Sequence, residues 1–283
     1  MGISNLVVKA ADRFPQSIPG LISRRNRRTK QTVHVEHFPL KMTVGELTAS
    51  TRSLPGKAIL LGHCADGLPF LMSMDTPEIG AILVSGNRGC GKTHQLQVMA
   101  DAAMRTNKPH ELQITVLTHN PSEWAKFQNN NQNKKFLQGI FAWYEPVVEE
   151  HIQRLTEISE GRRRGGSDQP ANLVILDDLN FVEILSSEAQ VNLRWLLEYG
   201  TQSRVWTVGA LNASHVEGFP FWCEVFRTRI FGWTEAGLRI DFPGQKPGLC
   251  PETLEPGTFR AWTGDRWITY QLPLLGDGIT RRI

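Results

Sequence analysis

Gly86-Asn87-Arg88-Gly89-Cys90-Gly91-Lys92-Thr93 decides how the rest of the sequence is read. The octapeptide matches G-x-x-x-x-G-K-[ST]; an apolar run at 81–85 precedes it, and residues 93–104 can wind into a helix after it. Glycines at these positions let backbone N–H groups converge on phosphate oxygens, and the positive end of the following helix adds to that field. Chance would supply the four fixed positions about once in a hundred chains of this length, and the strand–loop–helix context is demanded besides. All eight residues are therefore expected to line a nucleotide. Lys92 reaches the β- and γ-phosphates, the Thr93 hydroxyl ligates a metal ion, and ATP and Mg2+ are the expected ligands.

Downstream, Leu173-Val174-Ile175-Leu176-Asp177-Asp178 is an apolar strand ending in two acids. Strands buried on both faces read this way, and ligands of open α/β sheets gather at the carboxyl ends of such strands. Asp177 is expected to hold the magnesium. Asp178 is either the base that orients the attacking water or a helix-capping aspartate. A further strand at 112–117 lies between the two motifs, the order found in the division of ATPases that includes recombinases and ring motors. Asn212 ends the strand after the acidic pair, where such proteins place a sensor of the γ-phosphate; a loop-initiating asparagine is the alternative. The expected fold is α/β, a P-loop NTPase of the additional-strand (RecA-like) type. Its mostly parallel sheet carries helices on both faces, with small β-hairpins at the N- and C-terminal sides.

Those hairpins are read at 57–75, around Asp66-Gly67, and at 259–272, around Thr263-Gly264-Asp265. Residues 146–160 have amphipathic helical spacing, with Gly161 as the expected stop. Ser187 and Gln190 suggest a capping box for a helix to Tyr199. Residues 129–133, rich in asparagine, are expected to form a solvated loop. The chain divides into an N-terminal basic arm and small element, 1–56, with Arg24, Arg25, Arg27, Arg28 and Lys30 at the arm's end, and a motor domain, 57–283.

The 283 residues carry 31 Lys and Arg against 28 Asp and Glu, so the net charge of +3 argues for a nucleic-acid partner only where basic residues cluster. Arg162-Arg163-Arg164-Gly165-Gly166 and the arm are the clusters; each is either a DNA-phosphate contact or a solvated segment. Cys64, Cys90, Cys223 and Cys250 form no CxxC pair, which argues against a zinc site or disulfide framework and fits a cytoplasmic protein. No run of eighteen apolar residues occurs, so no intrinsic membrane segment is expected.

With these residues in place, the chain resembles the FtsK/HerA family, hexameric ATPases that pump double-stranded DNA through a ring. Asp66-Gly67-Leu68-Pro69 is similar to the hairpin that the family places ahead of its phosphate loop. Thr118-His119-Asn120-Pro121-Ser122-Glu123-Trp124 occupies a turn that usually reads Asp-Pro-Lys. Residues 149–164 resemble the family's acidic-to-basic helix, 204–214 its sensor strand, and Thr228-Arg229-Ile230 a further strand. The similarity spans about residues 57–272, with Asp178 where glutamate is common and Asn212 where glutamine is common. It implies a homo-oligomeric ring, in which a neighbouring subunit supplies an arginine to the transferring phosphoryl group. Arg204 and Arg229 are the candidates, each alternatively a surface or ion-paired arginine. The implied function is double-stranded DNA translocation in segregation, conjugative transfer or genome packaging. Two alternatives stand beside it: a motor for protein secretion or pilus assembly, and a weakly hydrolysing, nucleotide-switched scaffold.

Overall fold

Short apolar runs alternating with amphipathic stretches produce, among the described residues of the computed structural model, a ten-stranded sheet flanked by helices. Residues 42–50, 58–74, 77–165, 170–235, 254–262 and 267–276 are described. The arm around Arg24 to Lys30, Cys250, Gly166 and the turn at 263–265 lie outside them. In chain order the elements are α1 (Val44–Ser50), β1 (Ala58–His63), β2 (Pro69–Ser73), β3 (Ala81–Gly86), α2 (Lys92–Thr106), β4 (Leu112–Thr118), α3 (Ala125–Asn129) and β5 (Leu137–Ala142). There follow α4 (Val147–Gly165), β6 (Ala171–Asp177), α5 (Ser187–Tyr199), β7 (Val205–Asn212), α6 (Pro220–Cys223), β8 (Phe226–Phe231), β9 (Thr258–Trp262) and β10 (Trp267–Gln271).

The sheet order is β2-β1-β10-β9-β8-β3-β7-β6-β4-β5. From β8 to β5 every pairing is parallel, whereas β9, β10, β1 and β2 extend the sheet as antiparallel hairpins. β7 lies between the phosphate-loop strand β3 and the acidic strand β6, so it is the additional strand in space. β4, which intervenes in sequence, sits on the far side of β6. All the parallel strands end at one edge: Gly86 stands opposite Asn212, and Thr118 opposite Asp177.

Alternation along the strands fills two cores. Ile82, Val84, Ile114, Val116, Leu173, Ile175 and Val208 face α2, while Leu83, Leu117, Val174, Leu176 and Leu211 face α4 and α5. Both expected hairpins form. In the first, Leu68 N–H donates to Asp66 Oδ1 across the turn. β5 was not read from the sequence: of its six residues only Ala142 is fully buried, so it lacks the apolar run that marks the inner strands.

Two helix boundaries differ from expectation. α4 continues through Gly161 to Gly165, because Arg162 is buried and its guanidinium donates to the carbonyls of Ser203, Arg204 and Pro170. A mid-helix glycine costs only about 1 kcal/mol relative to alanine, less than that set of charged hydrogen bonds returns. The flexible basic loop expected at 162–166 is thus helical as far as Gly165. Arg163 lies over Trp195 and Tyr199, and Arg164 pairs with Glu160. For α5, Ser186 and not Ser187 is the cap: its hydroxyl accepts from Ala189 N–H, and its own N–H and O–H both donate to the Glu149 carboxylate at 2.7 Å. Gln190 turns to the Leu185 carbonyl instead of completing a capping box.

Candidate functional site

The loop leaves β3 at Gly86 and enters α2 at Lys92. Gly89 and Gly91 have φ of 83° and 104°, and Gly91 precedes the first helical residue. L-residues with a Cβ rarely adopt these angles, so glycine is needed for the chain to curl back with its amides turned inward. A Cβ at Gly89 would meet nothing within 4 Å, so the loop is open there. Lys92 Nζ donates to the Gly86 carbonyl at 2.9 Å and the Asn87 carbonyl at 3.1 Å, holding the ammonium over the loop. Behind it, Asn87 N–H donates to the Trp233 carbonyl and Gly257 N–H to the Cys90 carbonyl, which moors the loop to segments on its far side. Burial raises the Cys90 thiol above its ordinary range.

Thr93 and Asp177, 84 residues apart, meet: Thr93 Oγ1 donates to Asp177 Oδ1 at 2.9 Å. The other carboxylate oxygen accepts from the buried indole of Trp124 at 3.0 Å and from Thr118 Oγ1 at 3.4 Å. Burial pushes the Asp177 carboxyl up, while the hydrogen bonds from Trp124 and Thr93 favour its ionised form. With its proton given to Asp177, the Thr93 hydroxyl keeps its lone pairs for a cation. Among the described residues no cluster of three His, Cys, Asp or Glu assembles. Mg2+ takes one or two protein oxygens and completes its shell from phosphates and water; the Thr93 hydroxyl and Asp177 carboxylate, 2.9 Å apart, fit it.

Asp178 caps the 3-10 turn Leu179–Ile184: Oδ1 accepts from Asn180 N–H at 3.1 Å and Oδ2 from Asn180 Nδ2 at 3.0 Å. Asn180 Oδ1 in turn pairs with His215 Nδ1 at 3.1 Å, which bridges the segments after β6 and β7. Asn212 reaches the same edge, and its Oδ1 accepts from Ser214 N–H. The arginines are not brought here. Arg204 precedes β7 at its amino end, about 25 Å from the loop at ~3.3 Å per residue. Arg229 is buried in β8 and donates to the Cys223 carbonyl.

Trp124, Thr118, Asn180 and His215 are site residues that the motif reading did not single out. Trp124 and Asp177 are 53 positions apart, and no local spacing signals that contact. The one available hint is the unusual 118–124 turn itself.

No protein family and no curated protein matches the chain by sequence. Solved structures do match in fold. ATPases 2 and 3 of Thermomonospora curvata EccC, in complex with a signal sequence peptide, align at TM-score 0.63 and 15% identity, covering 84% of this chain and 43% of that one. The cytoplasmic domain of EssC aligns at 0.64 and 16%, covering 84% and 48%. EssC (ATPases 2 and 3) from Geobacillus thermodenitrificans aligns at 0.61 and 17%, covering 86% and 46%. The chain thus spans less than half the length of these three. At such identities the likeness establishes the fold alone, an α/β fold with a mostly parallel sheet that matches the ATPase domains of EccC and EssC. No described helix is long and apolar enough to cross a membrane.

Proposed function

We propose that this chain is a magnesium-dependent ATPase motor whose load is a polypeptide. The observation that carries the nucleotide reading is the Thr93–Asp177 hydrogen bond beneath a glycine loop at positive φ. Amides of residues 86–93 and Lys92 grip the β- and γ-phosphates, while Thr93 and Asp177 hold the metal. Magnesium, when bound, neutralises charge on the transferring phosphoryl group. Asp178 orients the attacking water once one of its oxygens turns away from Asn180. Asn212, on the strand between the loop and the acids, senses the γ-phosphate.

Two observations favour polypeptide over duplex DNA as the load. Among the solved structures of like fold are a type VII secretion ATPase, Thermomonospora curvata EccC, and its ATPases 2 and 3 in complex with a signal sequence peptide. Of the basic run that suggested DNA, Arg162 is buried and spent on backbone carbonyls, and Arg163 lies over Trp195 and Tyr199. Assembly into a ring is part of the proposal, with Arg204 as the arginine offered to a neighbour, since Arg229 is buried.

The test is the ATPase rate alone, with unstructured polypeptides and with duplex DNA, using Lys92→Ala as the blank. Stimulation by polypeptide and not by DNA supports the reading. Stimulation by DNA alone restores translocation of DNA, and a wild-type rate equal to the blank refutes the enzyme.

A further inference from the structure

We propose that Trp124 is a positioning residue for the metal site: its indole N–H fixes the Asp177 carboxylate in the orientation that serves magnesium. This rests on the nucleotide-site reading above and assigns a role that the motif does not contain.

A carboxylate turns easily about its last torsion, whose preferences are broad. Thr93 holds one oxygen at 2.9 Å, which by itself leaves the other free to swing. Trp124 Nε1 holds that second oxygen at 3.0 Å, and Thr118 Oγ1 approaches it at 3.4 Å. An indole nitrogen donates and cannot accept. It therefore fixes the carboxylate plane without competing for a coordination position, as the outer partners of metal ligands do.

The donor is itself held. Trp124 is 0% exposed and its ring packs 5.3 Å from that of Phe127. The turn that presents it is knit by Ser122 Oγ donating to Asn120 Oδ1 and by Asn120 Nδ2 donating to Glu123 Oε1. Gln97 Nε2 donates to the Glu123 carbonyl at 2.9 Å, and Gln97 sits one helical turn beyond Thr93 on α2. The turn is thus tied to the helix bearing one metal-site residue and, through the indole, to the strand bearing the other. A tryptophan buried only for its area would not need its N–H aimed at this carboxylate.

Trp124→Phe keeps an aromatic ring and removes the donor. The experiment titrates Mg2+ against binding of a fluorescent ATP analogue to wild type and variant, with a parallel measurement in EDTA. Loss of an outer partner costs about 10–100-fold in metal affinity, so the half-saturating Mg2+ concentration should rise at least about tenfold. Affinity in EDTA should stay within about twofold. Superimposable Mg2+ titrations, with or without a drop in Tm, overturn the proposal, because a purely packing role predicts them. If Trp124→Phe does not fold, Thr118→Val removes the other donor to the same oxygen; a shift of about two- to threefold supports the proposal and no shift overturns it. Wild-type binding that ignores Mg2+ defeats the metal-site reading itself, and this proposal with it.

Discussion

Lowering the pH should destabilise this protein in part through His151. The imidazole is buried on α4, shares a hydrogen bond of 2.8 Å with Thr115 Oγ1 and lies 5.3 Å from the ring of Phe141. Burial, and secondarily the positive charge of Arg154, lowers its pKa from 6.5 to about 4. The unfolded chain therefore takes up this proton well before the folded chain does. Where the unfolded state binds more protons, stability falls as pH falls. The loss begins near 6.5 and is complete near 4. A difference of about 2.5 pH units at ~1.4 kcal/mol each amounts to about 3.5 kcal/mol in full, of which about 2 kcal/mol is gone by pH 5. That is a large part of a typical 5–15 kcal/mol. Urea unfolding of wild type and His151→Gln at pH 7, 6, 5 and 4.5 isolates the term, since other titrating groups are common to both. The amide can still pair with Thr115, so stabilities near pH 7 should differ by about 1 kcal/mol or less. Below pH 6 the curves should converge and cross, with the variant more stable at pH 5. Parallel curves across the whole range would refute the reasoning.

Three further outcomes follow from the geometry. Arg162→Ala strips a charged donor from the carbonyls of Ser203, Arg204 and Pro170 and should cost about 2–4 kcal/mol in urea unfolding; an effect below about 0.5 kcal/mol would mean that the arginine does not hold the end of α4. Gly91→Ala must adopt φ near 104°, where a Cβ costs about 1–2 kcal/mol, so nucleotide affinity should drop about tenfold in a filter-binding assay, and wild-type affinity would deny the loop its strained geometry. Asp178→Glu lengthens the carboxylate beyond the grip of Asn180, and single-turnover hydrolysis should change several-fold while affinity for Mg-nucleotide stays constant. An unchanged single-turnover rate would remove Asp178 from the chemical step.

Much of the architecture was legible because its signals are local. The octapeptide at 86–93 needs only its own glycines, lysine and threonine to state its chemistry, and β6 announces itself as an unbroken apolar run capped by acids. Hairpin turns behave likewise: Asp66 and Leu68 bond to each other across two residues. Boundaries set from a distance were misread. Gly161 looks like a helix end until Arg162 finds carbonyls some forty residues onward, and Ser187 looks like a cap until Glu149 selects Ser186. β5 escaped because an edge strand with one partner need not be apolar.

The sequence by itself determined the phosphate loop, the acidic strand tip and the alternation that makes a parallel sheet, since each is written in residues adjacent along the chain and acts through backbone geometry. Tertiary structure alone decided which strand stands between β3 and β6, that Arg162 is packed, and that Arg229 is buried. It also decided that an indole from a turn 53 positions away closes on Asp177. The physical reason is that hydrogen bonds to buried charges are chosen by the partners that folding brings within 3 Å, and that choice leaves no periodic trace in the sequence.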